Sequence, residues 1–130
     1  MTDQVKLKIL IVDDDPHIIK QYDAALPDAV FEKQFTKEGL KALELYENWK
    51  PQIILLDIML PGISGFNILK NIRQELADTK TVIIMSTALS SQDDVRDCLA
   101  LGIGGYIIKP LNLKEVAKTI LTYYKKAIQQ

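Results

Sequence analysis

The sequence has few of the residues that build disulfides, metal clusters or membrane spans. It contains one cysteine, Cys98, and one histidine, His17, which excludes an internal disulfide and a Cys/His cluster for a transition metal. A single cysteine suits a reducing compartment. No apolar run reaches the roughly 18 residues of a transmembrane helix, and residues 1–6 lack the apolar core of a signal peptide. We therefore expect a cytoplasmic protein that is not embedded in a membrane.

An excess of positive charge is also missing. The chain has 16 Lys and Arg against 17 Asp and Glu, with no basic arm or stripe, so we expect no direct nucleic-acid binding by this chain. Its 48% apolar and 25% charged residues are ordinary for a globular protein. A length of 130 residues suits one domain with its own core. We predict a single domain over residues 1–130, with its core at about 7–128.

Five short apolar runs alternate with five segments of helical periodicity. The predicted strands cover residues 7–12, 30–35, 53–56, 81–87 and 105–110. The predicted helices end near residues 26, 49, 76, 101 and 128. Their expected N-terminal caps are Asp15, Thr36, Ser64, either Ser90 or Ser91, and Asn112 with Glu115 as a capping box. This alternation predicts an α/β fold in which helices cover both faces of a doubly wound, five-stranded parallel sheet.

The third predicted strand ends at an acidic residue, Asp57. Pro61, Gly62 and Gly65 follow it and turn the chain away over the end of the strand. Ligand sites in open α/β sheets lie outside the carboxyl ends of the strands. Asp57 is therefore either a functional residue or a cap for the next turn, and this stretch alone does not decide between the two.

Polar residues also end other strands: Asp13 and Asp14, Ser86 and Thr87, and Lys109. The acids meet only if the first and third strands are neighbours, as they are in the order 2-1-3-4-5. Three converging carboxylates repel one another unless a cation shares them, and hard oxygen ligands suit Mg²⁺. A hydroxyl and a lysine beside such a cation would neutralise a phosphoryl group. The residues therefore predict phosphoryl chemistry, with Asp57 as the nucleophile.

These motifs resemble the receiver domains of two-component response regulators, the CheY-like family with a flavodoxin-like fold. The resemblance extends from about Leu7 to Ile128. Its motifs are the acid pair Asp13 and Asp14, Asp57 within residues 56–65, Thr87 followed by Ala88, Tyr106, and Lys109 followed by Pro110. Each motif is weak alone, but the ordered set is specific.

The resemblance implies a role for each matching residue. Asp57 would accept a phosphoryl group from a phosphohistidine of a histidine kinase or phosphotransfer protein. Mg²⁺ would be held by Asp14, by Asp57 and by the backbone carbonyl of Met59, with Asp13 assisting through water. The phosphoryl group would be bound by Thr87, Ala88 and Lys109. Thr87 and Tyr106 would form the conformational switch, and the peptide bond before Pro110 is a candidate for the cis form.

The resemblance also implies how the signal leaves the domain. The surface of the fourth helix, fifth strand and fifth helix would bind a downstream protein, an output domain missing from this sequence, or a second copy in a homodimer. The chain would be a stand-alone receiver or a piece of a longer regulator. Its chemistry would be limited to its own phosphorylation and dephosphorylation, so we expect no enzyme in the usual sense.

Two positions should set the lifetime of the phosphorylated form. Met59 and Leu89 lie two residues past Asp57 and Thr87, where they would flank the approach of the hydrolytic water. Because both are apolar, neither can orient that water with a hydrogen bond. We therefore expect slow loss of the phosphoryl group.

Two other functions fit parts of the sequence. A haloacid-dehalogenase-like, Mg²⁺-dependent phosphatase would use Asp13 and Asp15 as its Asp-x-Asp motif, but this chain is short for it and Asp57 would have no role. A flavodoxin-like flavin module would need a hydroxyl- and glycine-rich phosphate loop after the first strand, where three aspartates stand instead.

Overall fold

The structure, a computed structural model, describes residues 5–88 and 92–129. Its strands are β1 (Leu7–Val12), β2 (Phe31–Thr36), β3 (Ile53–Leu56), β4 (Val82–Thr87) and β5 (Gly105–Ile108). They form one parallel sheet in the order β2-β1-β3-β4-β5. Runs of Ile, Leu and Val favour these central strands, which are buried on both faces. The predicted strand order is confirmed, and it places β1 beside β3.

The described residues form five helices that connect the strands. They are α1 (Pro16–Ala25), α2 (Gly39–Trp49), α3 (Gly65–Lys70), α4 (Gln92–Leu101) and α5 (Val116–Ile128). The Asp15 side chain accepts a hydrogen bond from the backbone N–H of His17, and Ser64 accepts one from Asn67. Asp15 and Ser64 therefore cap α1 and α3, as predicted. No helix in the described part of the chain is long and apolar enough to cross a bilayer.

Alternate residues of the strands enter two separate hydrophobic clusters. Ile9 and Ile11 join the cluster beneath α1 and α5, which we call the α1–α5 cluster. Leu10 and Val12 join the cluster beneath α2, α3 and α4, which we call the α2–α4 cluster. This division follows from the two-residue period of a strand. The expectation of helices on both faces of the sheet is confirmed.

The start of α2 differs from the prediction. Thr36 is the last residue of β2, and its hydroxyl accepts a hydrogen bond from the Glu38 N–H at 3.3 Å rather than capping the helix. The helix begins at Gly39, where a Cβ atom would lie 2.1 Å from a methyl carbon of Ile63. Close packing therefore decides where α2 begins. Leu40, in the first turn of α2, is 72% exposed.

Two other helix ends differ from the sequence pattern. The third helix leaves the α-helical form after Lys70 and continues as a π-helical turn over Asn71–Glu75. At α5 the Asn112 side chain accepts a hydrogen bond from the Lys114 N–H, but Glu115 makes no side-chain cap bond, so the predicted capping box does not form. Ser90 and Ser91, the predicted caps of α4, lie outside the described residues.

The loop after β3 packs closely against the start of α3. The Gly65 N–H donates a hydrogen bond to the Ile58 carbonyl at 2.9 Å. A Cβ atom on Gly65 would lie 1.9 Å from the backbone oxygen of Asp57. Only glycine permits this approach, and it fixes the turn that follows Asp57.

A polar network connects the loops where the strands begin, which we call the amino-terminal edge of the sheet. Arg73, in the π-helical turn, donates hydrogen bonds to the carbonyls of Gly102, Asp78 and Thr81 at 2.7 to 2.8 Å. The Asp78 carboxylate accepts from the Tyr46 hydroxyl at 2.5 Å and from the Thr81 hydroxyl at 2.6 Å. Burial alone would raise the pKa of Asp78, but these hydrogen bonds outweigh it and hold the pKa well below 3.8.

We predict that Gly65→Ala destabilises the fold more than Gly62→Ala does. The new methyl group on residue 65 meets backbone atoms of Asp57 and Ile58, which cannot move aside cheaply, and overpacking of this kind costs about 1–3 kcal/mol or more. Gly62 has a φ of +80° but nothing within 4 Å of its Cβ position, so Ala there costs only about 1 kcal/mol of left-handed strain. Urea unfolding of both variants measures the difference. Equal stability of the two would contradict the close approach.

We further predict that Asp78 contributes acid-sensitive stability. Its folded pKa lies below the ordinary value of 3.8, so its contribution is present above that pH and is lost as the pH falls below it. The stability difference between wild type and Asp78→Asn should therefore shrink as the pH is lowered from 6 to about 3, the range in which the unfolded carboxyl titrates. Urea unfolding at each pH tests this. A difference that stays constant would show that the Asp78 charge contributes nothing.

Candidate functional site

Two acids are held side by side where β1 and β3 end. The backbone N–H of Asp57 donates to the Val12 carbonyl at 3.1 Å, and that of Asp13 donates to the Thr36 carbonyl at 3.1 Å. These bonds continue the sheet ladders one residue past each strand. Both side chains are almost fully buried, at 1% exposure for Asp13 and 5% for Asp57.

Lys109, directly after β5, joins the two carboxylates. Its Nζ lies 2.6 Å from Asp13 Oδ2 and 3.0 Å from Asp57 Oδ2. The backbone N–H of Lys109 donates to the Thr87 carbonyl at 3.0 Å, which fixes the residue at the end of β4. One ammonium group is thus shared by acids from two other strands.

Burial and charge act in opposite directions on this ion pair. Burial raises the pKa of Asp13 above its ordinary value, although the hydrogen bonds from Lys109 and from the Asp15 N–H partly offset the rise. Burial would lower the pKa of Lys109, but the hydrogen bonds and charges of Asp13 and Asp57 outweigh it and raise that pKa. Lys109 therefore remains a cation that neutralises part of the acidic cluster.

A third carboxylate completes the cluster. Asp13, Asp14 and Asp57 each offer an oxygen, and these oxygens lie within 4.8 Å of one another. Asp14 is exposed, whereas Asp13 is engaged by Lys109 and by the Asp15 N–H at 2.9 Å. Three hard oxygen donors with one open side form a donor set that suits Mg²⁺ better than a softer transition metal.

An open cavity of about 820 Å³ exposes this cluster. The predicted site residues among its lining are Asp13, Asp14, Asp57, Met59, Ala88, Lys109 and Pro110. Met59 is 63% exposed, and its N–H donates to Asp57 Oδ1 at 3.1 Å. Both Asp57 oxygens therefore have a hydrogen-bond partner, one the Met59 N–H and the other Lys109.

The other predicted residues lie around this cavity. Thr87 is buried at the end of β4, and Tyr106 pairs with Met85 in the sheet. Tyr106 is partly buried against the α2–α4 cluster, on the opposite face from Lys109. The Lys109–Pro110 peptide bond is cis. Leu89 lies outside the described residues.

The structure adds one residue that the sequence reasoning passed over. Tyr22, on α1, is fully buried, and its hydroxyl lies 2.5 Å from Ser86 Oγ. Burial raises the pKa of Tyr22; the hydrogen bond to Ser86 opposes the rise, and the charges of Asp13 and Asp57 add to it. The hydroxyl is therefore neutral. The available signal was a tyrosine on the apolar face of α1, combined with a serine inside an otherwise apolar strand.

Comparison with known proteins agrees with this geometry. A family model of the response regulator receiver domain matches residues 9–121. The DNA-binding response regulator MtrA of Mycolicibacterium smegmatis is 32% identical over 118 residues, which cover 91% of this chain and 50% of MtrA. The chain thus spans about half the length of this relative.

Solved structures show the same fold. The receiver domain of a Luxo repressor protein from Vibrio parahaemolyticus superposes with a TM-score of 0.87 at 27% identity, covering 96% of this chain and 95% of that one. CheY4, a chemotaxis response regulator of Vibrio cholerae, gives a TM-score of 0.83 at 28% identity, with 92% and 99% covered.

These comparisons do not support the alternative of a haloacid-dehalogenase-like phosphatase. The sheet order is the one found in CheY-like proteins, and the family model covers nearly all of the described strands and helices. Receiver domains are signalling domains rather than conventional enzymes. The chain belongs to the response regulator receiver domain family of two-component systems.

Proposed function

We propose that Asp57 is the phosphoacceptor of this receiver domain and that the whole chain, residues 1–130, forms one such domain. One observation carries the proposal: the Lys109 ammonium group contacts Asp57 and Asp13 at the carboxyl ends of three strands. A lysine in this position can bind a phosphoryl group that is attached to Asp57. A carboxylate with only a capping role would not need a buried lysine and two further acids around it.

The transfer takes place between Asp57 and a phosphohistidine of a histidine kinase or phosphotransfer protein. A carboxylate oxygen of Asp57 attacks phosphorus, the new P–O bond forms as the P–N bond breaks, and the imidazole nitrogen keeps the bonding electrons. The imidazole of the partner, or a small phosphodonor, approaches through the open cavity. The Met59 N–H and Lys109 orient the carboxylate for this attack.

The acidic cluster fits Mg²⁺. Asp14 and Asp57 would hold the ion directly together with the Met59 backbone carbonyl, and Asp13, already bound to Lys109, would assist through water. A divalent cation neutralises the negative charge that otherwise repels an incoming phosphoryl group. The oxygen donors of the cluster and its open side support this assignment.

The phosphoryl oxygens would be bound by Lys109, by the Thr87 hydroxyl and by the backbone of Ala88. Lys109 Nζ already lies 3.0 Å from an Asp57 oxygen, so a group attached there is within its reach. Thr87 and Tyr106 belong to strands that pair directly. A movement of Thr87 toward the phosphoryl group would therefore change the surroundings of Tyr106. We propose Tyr106 as the second switch residue.

The signal would leave through the surface of α4, β5 and α5. Among the described residues, four large apolar side chains are exposed along these elements and the loop before α5: Leu99, Ile108, Leu113 and Ile128. An apolar surface of this kind suits a protein partner. We propose a downstream protein, a second copy of the chain, or an output domain of a longer regulator, since the match covers only 50% of MtrA. No direct nucleic-acid contact is proposed for this chain.

Asp57→Asn is predicted to abolish phosphorylation by acetyl phosphate in the presence of Mg²⁺ and to leave the fold intact. The amide is a poor nucleophile, and its replacement of one of three close carboxylates relieves like-charge repulsion. Phosphate-affinity gel electrophoresis measures the label, and circular dichroism checks the fold. The matched control is Asp28→Asn. Asp28 is an exposed acid that follows α1, whereas the acids of the site precede this helix, so the control variant should label like wild type. Equal labelling of the Asp57→Asn variant would refute the assignment.

We predict that the phosphorylated wild type decays slowly and that Met59→Asn with Leu89→Glu speeds the decay. Apolar side chains at 59 and 89 offer no hydrogen bond to an attacking water, whereas polar ones position it, and each ~1.4 kcal/mol of barrier is a factor of ten in rate. The measurement is the loss of label from purified phosphoprotein over time. Met59→Leu with Leu89→Met keeps both positions apolar and should decay like wild type. Decay of wild type within seconds, or no acceleration in the polar variant, would contradict the prediction.

A further inference from the structure

The proposed chemistry leaves one buried polar contact without a role. Tyr22 is 0% exposed and Ser86 is 2% exposed, and their hydroxyl oxygens lie 2.5 Å apart. Tyr22 belongs to the α1–α5 cluster, whose other fully buried members are apolar side chains. Phe and Ala would fill such a place without any polar atom to satisfy, and buried hydroxyls are costly unless they are hydrogen-bonded. The two hydroxyls satisfy each other, but packing alone does not explain why two hydroxyls stand here.

The sheet register locates Ser86 next to the acidic cluster. Leu55 pairs with Ile84 and Leu56 pairs with Met85, so Asp57 and Ser86 are the next residues along the two strands. Leu55 and Ile84 both face the α1–α5 cluster. Because side chains alternate along a strand, Asp57 and Ser86 return to that same face two residues later.

The Tyr22–Ser86 contact also connects two parts of the site that are far apart in the sequence: the acids that precede α1 and the residues at the end of β4. The acids Asp13 and Asp14 lie just before α1, the helix that carries Tyr22. Ser86 directly precedes Thr87, whose carbonyl accepts the hydrogen bond from the Lys109 N–H. The Tyr22–Ser86 hydrogen bond thus runs from the element that follows the acids to the strand that carries the phosphoryl-binding residues.

We propose that the Tyr22–Ser86 hydrogen bond is a crosslink that positions these two parts of the site for phosphoryl transfer. The proposal rests on the proposed function of Asp57. Tyr22 is a positioning residue that acts through Ser86, since its hydroxyl contacts neither the acids nor the reacting group. A neutral crosslink suits this place, because a further charge beside three carboxylates would alter the balance that Lys109 maintains.

The test measures phosphorylation by acetyl phosphate with Mg²⁺ for Tyr22→Phe, Ser86→Ala and the double variant, at a temperature where all are folded. Each single variant should lower the rate constant at saturating phosphodonor by roughly three- to tenfold, the equivalent of one neutral hydrogen bond. The half-saturating concentration should change little, because the crosslink orients groups rather than binding the donor. The double variant should be no slower than the slower single variant.

Two further variants separate positioning from general stability. Tyr46→Phe also removes a tyrosine hydroxyl bond, that to Asp78, but at the opposite edge of the sheet. It should lower the urea midpoint and leave the phosphorylation rate unchanged. Ser86→Thr keeps a hydroxyl and should retain most of the wild-type rate.

The outcomes distinguish the proposed role of the Tyr22–Ser86 hydrogen bond from the proposal that Asp57 is the phosphoacceptor. If wild type is not phosphorylated, or if the Asp57→Asn variant is phosphorylated as fast as wild type, both proposals fail. If wild type labels through Asp57 but Tyr22→Phe is within twofold of it, only the crosslink is refuted. Rate losses that multiply in the double variant would show that Tyr22 does not act through Ser86.

Discussion

The site depends on one buried interaction, the sharing of the Lys109 ammonium group between Asp13 and Asp57 at 2.6 and 3.0 Å. Three carboxylate oxygens within 4.8 Å of one another would otherwise repel strongly. The sheet order creates both sides of this balance. Placing β1 beside β3 brings the acids together, and β5 at the edge brings Lys109 from the other side of β4. An order without β1 beside β3 would separate the two acids.

The polar groups where the strands begin, at the amino-terminal edge, are arranged differently from those where the strands end, at the carboxyl edge. At the amino-terminal edge the Asp78 carboxylate and the Arg73 guanidinium are hydrogen-bonded by neighbouring hydroxyls, N–H groups and carbonyls, an arrangement that stabilises loops. At the carboxyl edge Asp13 and Asp57 share a single lysine and Asp14 lies beside them, which leaves negative charge uncompensated beside an open cavity. The first arrangement holds the fold together. The second arrangement supports the cation and the phosphoryl group that we propose for this site.

The strands, their order and the edge of the sheet that holds the acids could all be predicted from sequence, because buried β-branched runs and strand-end acids are local signals. The start of α2 could not, since the close packing of Gly39 on Ile63 decides it and Thr36 is already a good cap in isolation. The π-helical turn at Asn71–Glu75 was also missed, because the apolar spacing through Ile72 fits an ordinary helix. At the start of α2 a tertiary contact overrides a reasonable local pattern.

Within the site, the sequence identified residues by the strand that each one follows, and the structure adds how they are connected. Neither hydrophobic period nor motif spacing relates Tyr22 to Ser86, 64 residues apart. Their contact appears only when α1 is packed on the sheet. The effect of a phosphoryl group on Asp57 would also depend on contacts that form only in the folded chain. A group attached there would stay bound to the chain, so in the proposed function its negative charge would have to be accommodated by Lys109 and by the end of β4. A domain that works as we propose would convert one covalent event into a rearrangement of its own strand ends, rather than into turnover of a substrate.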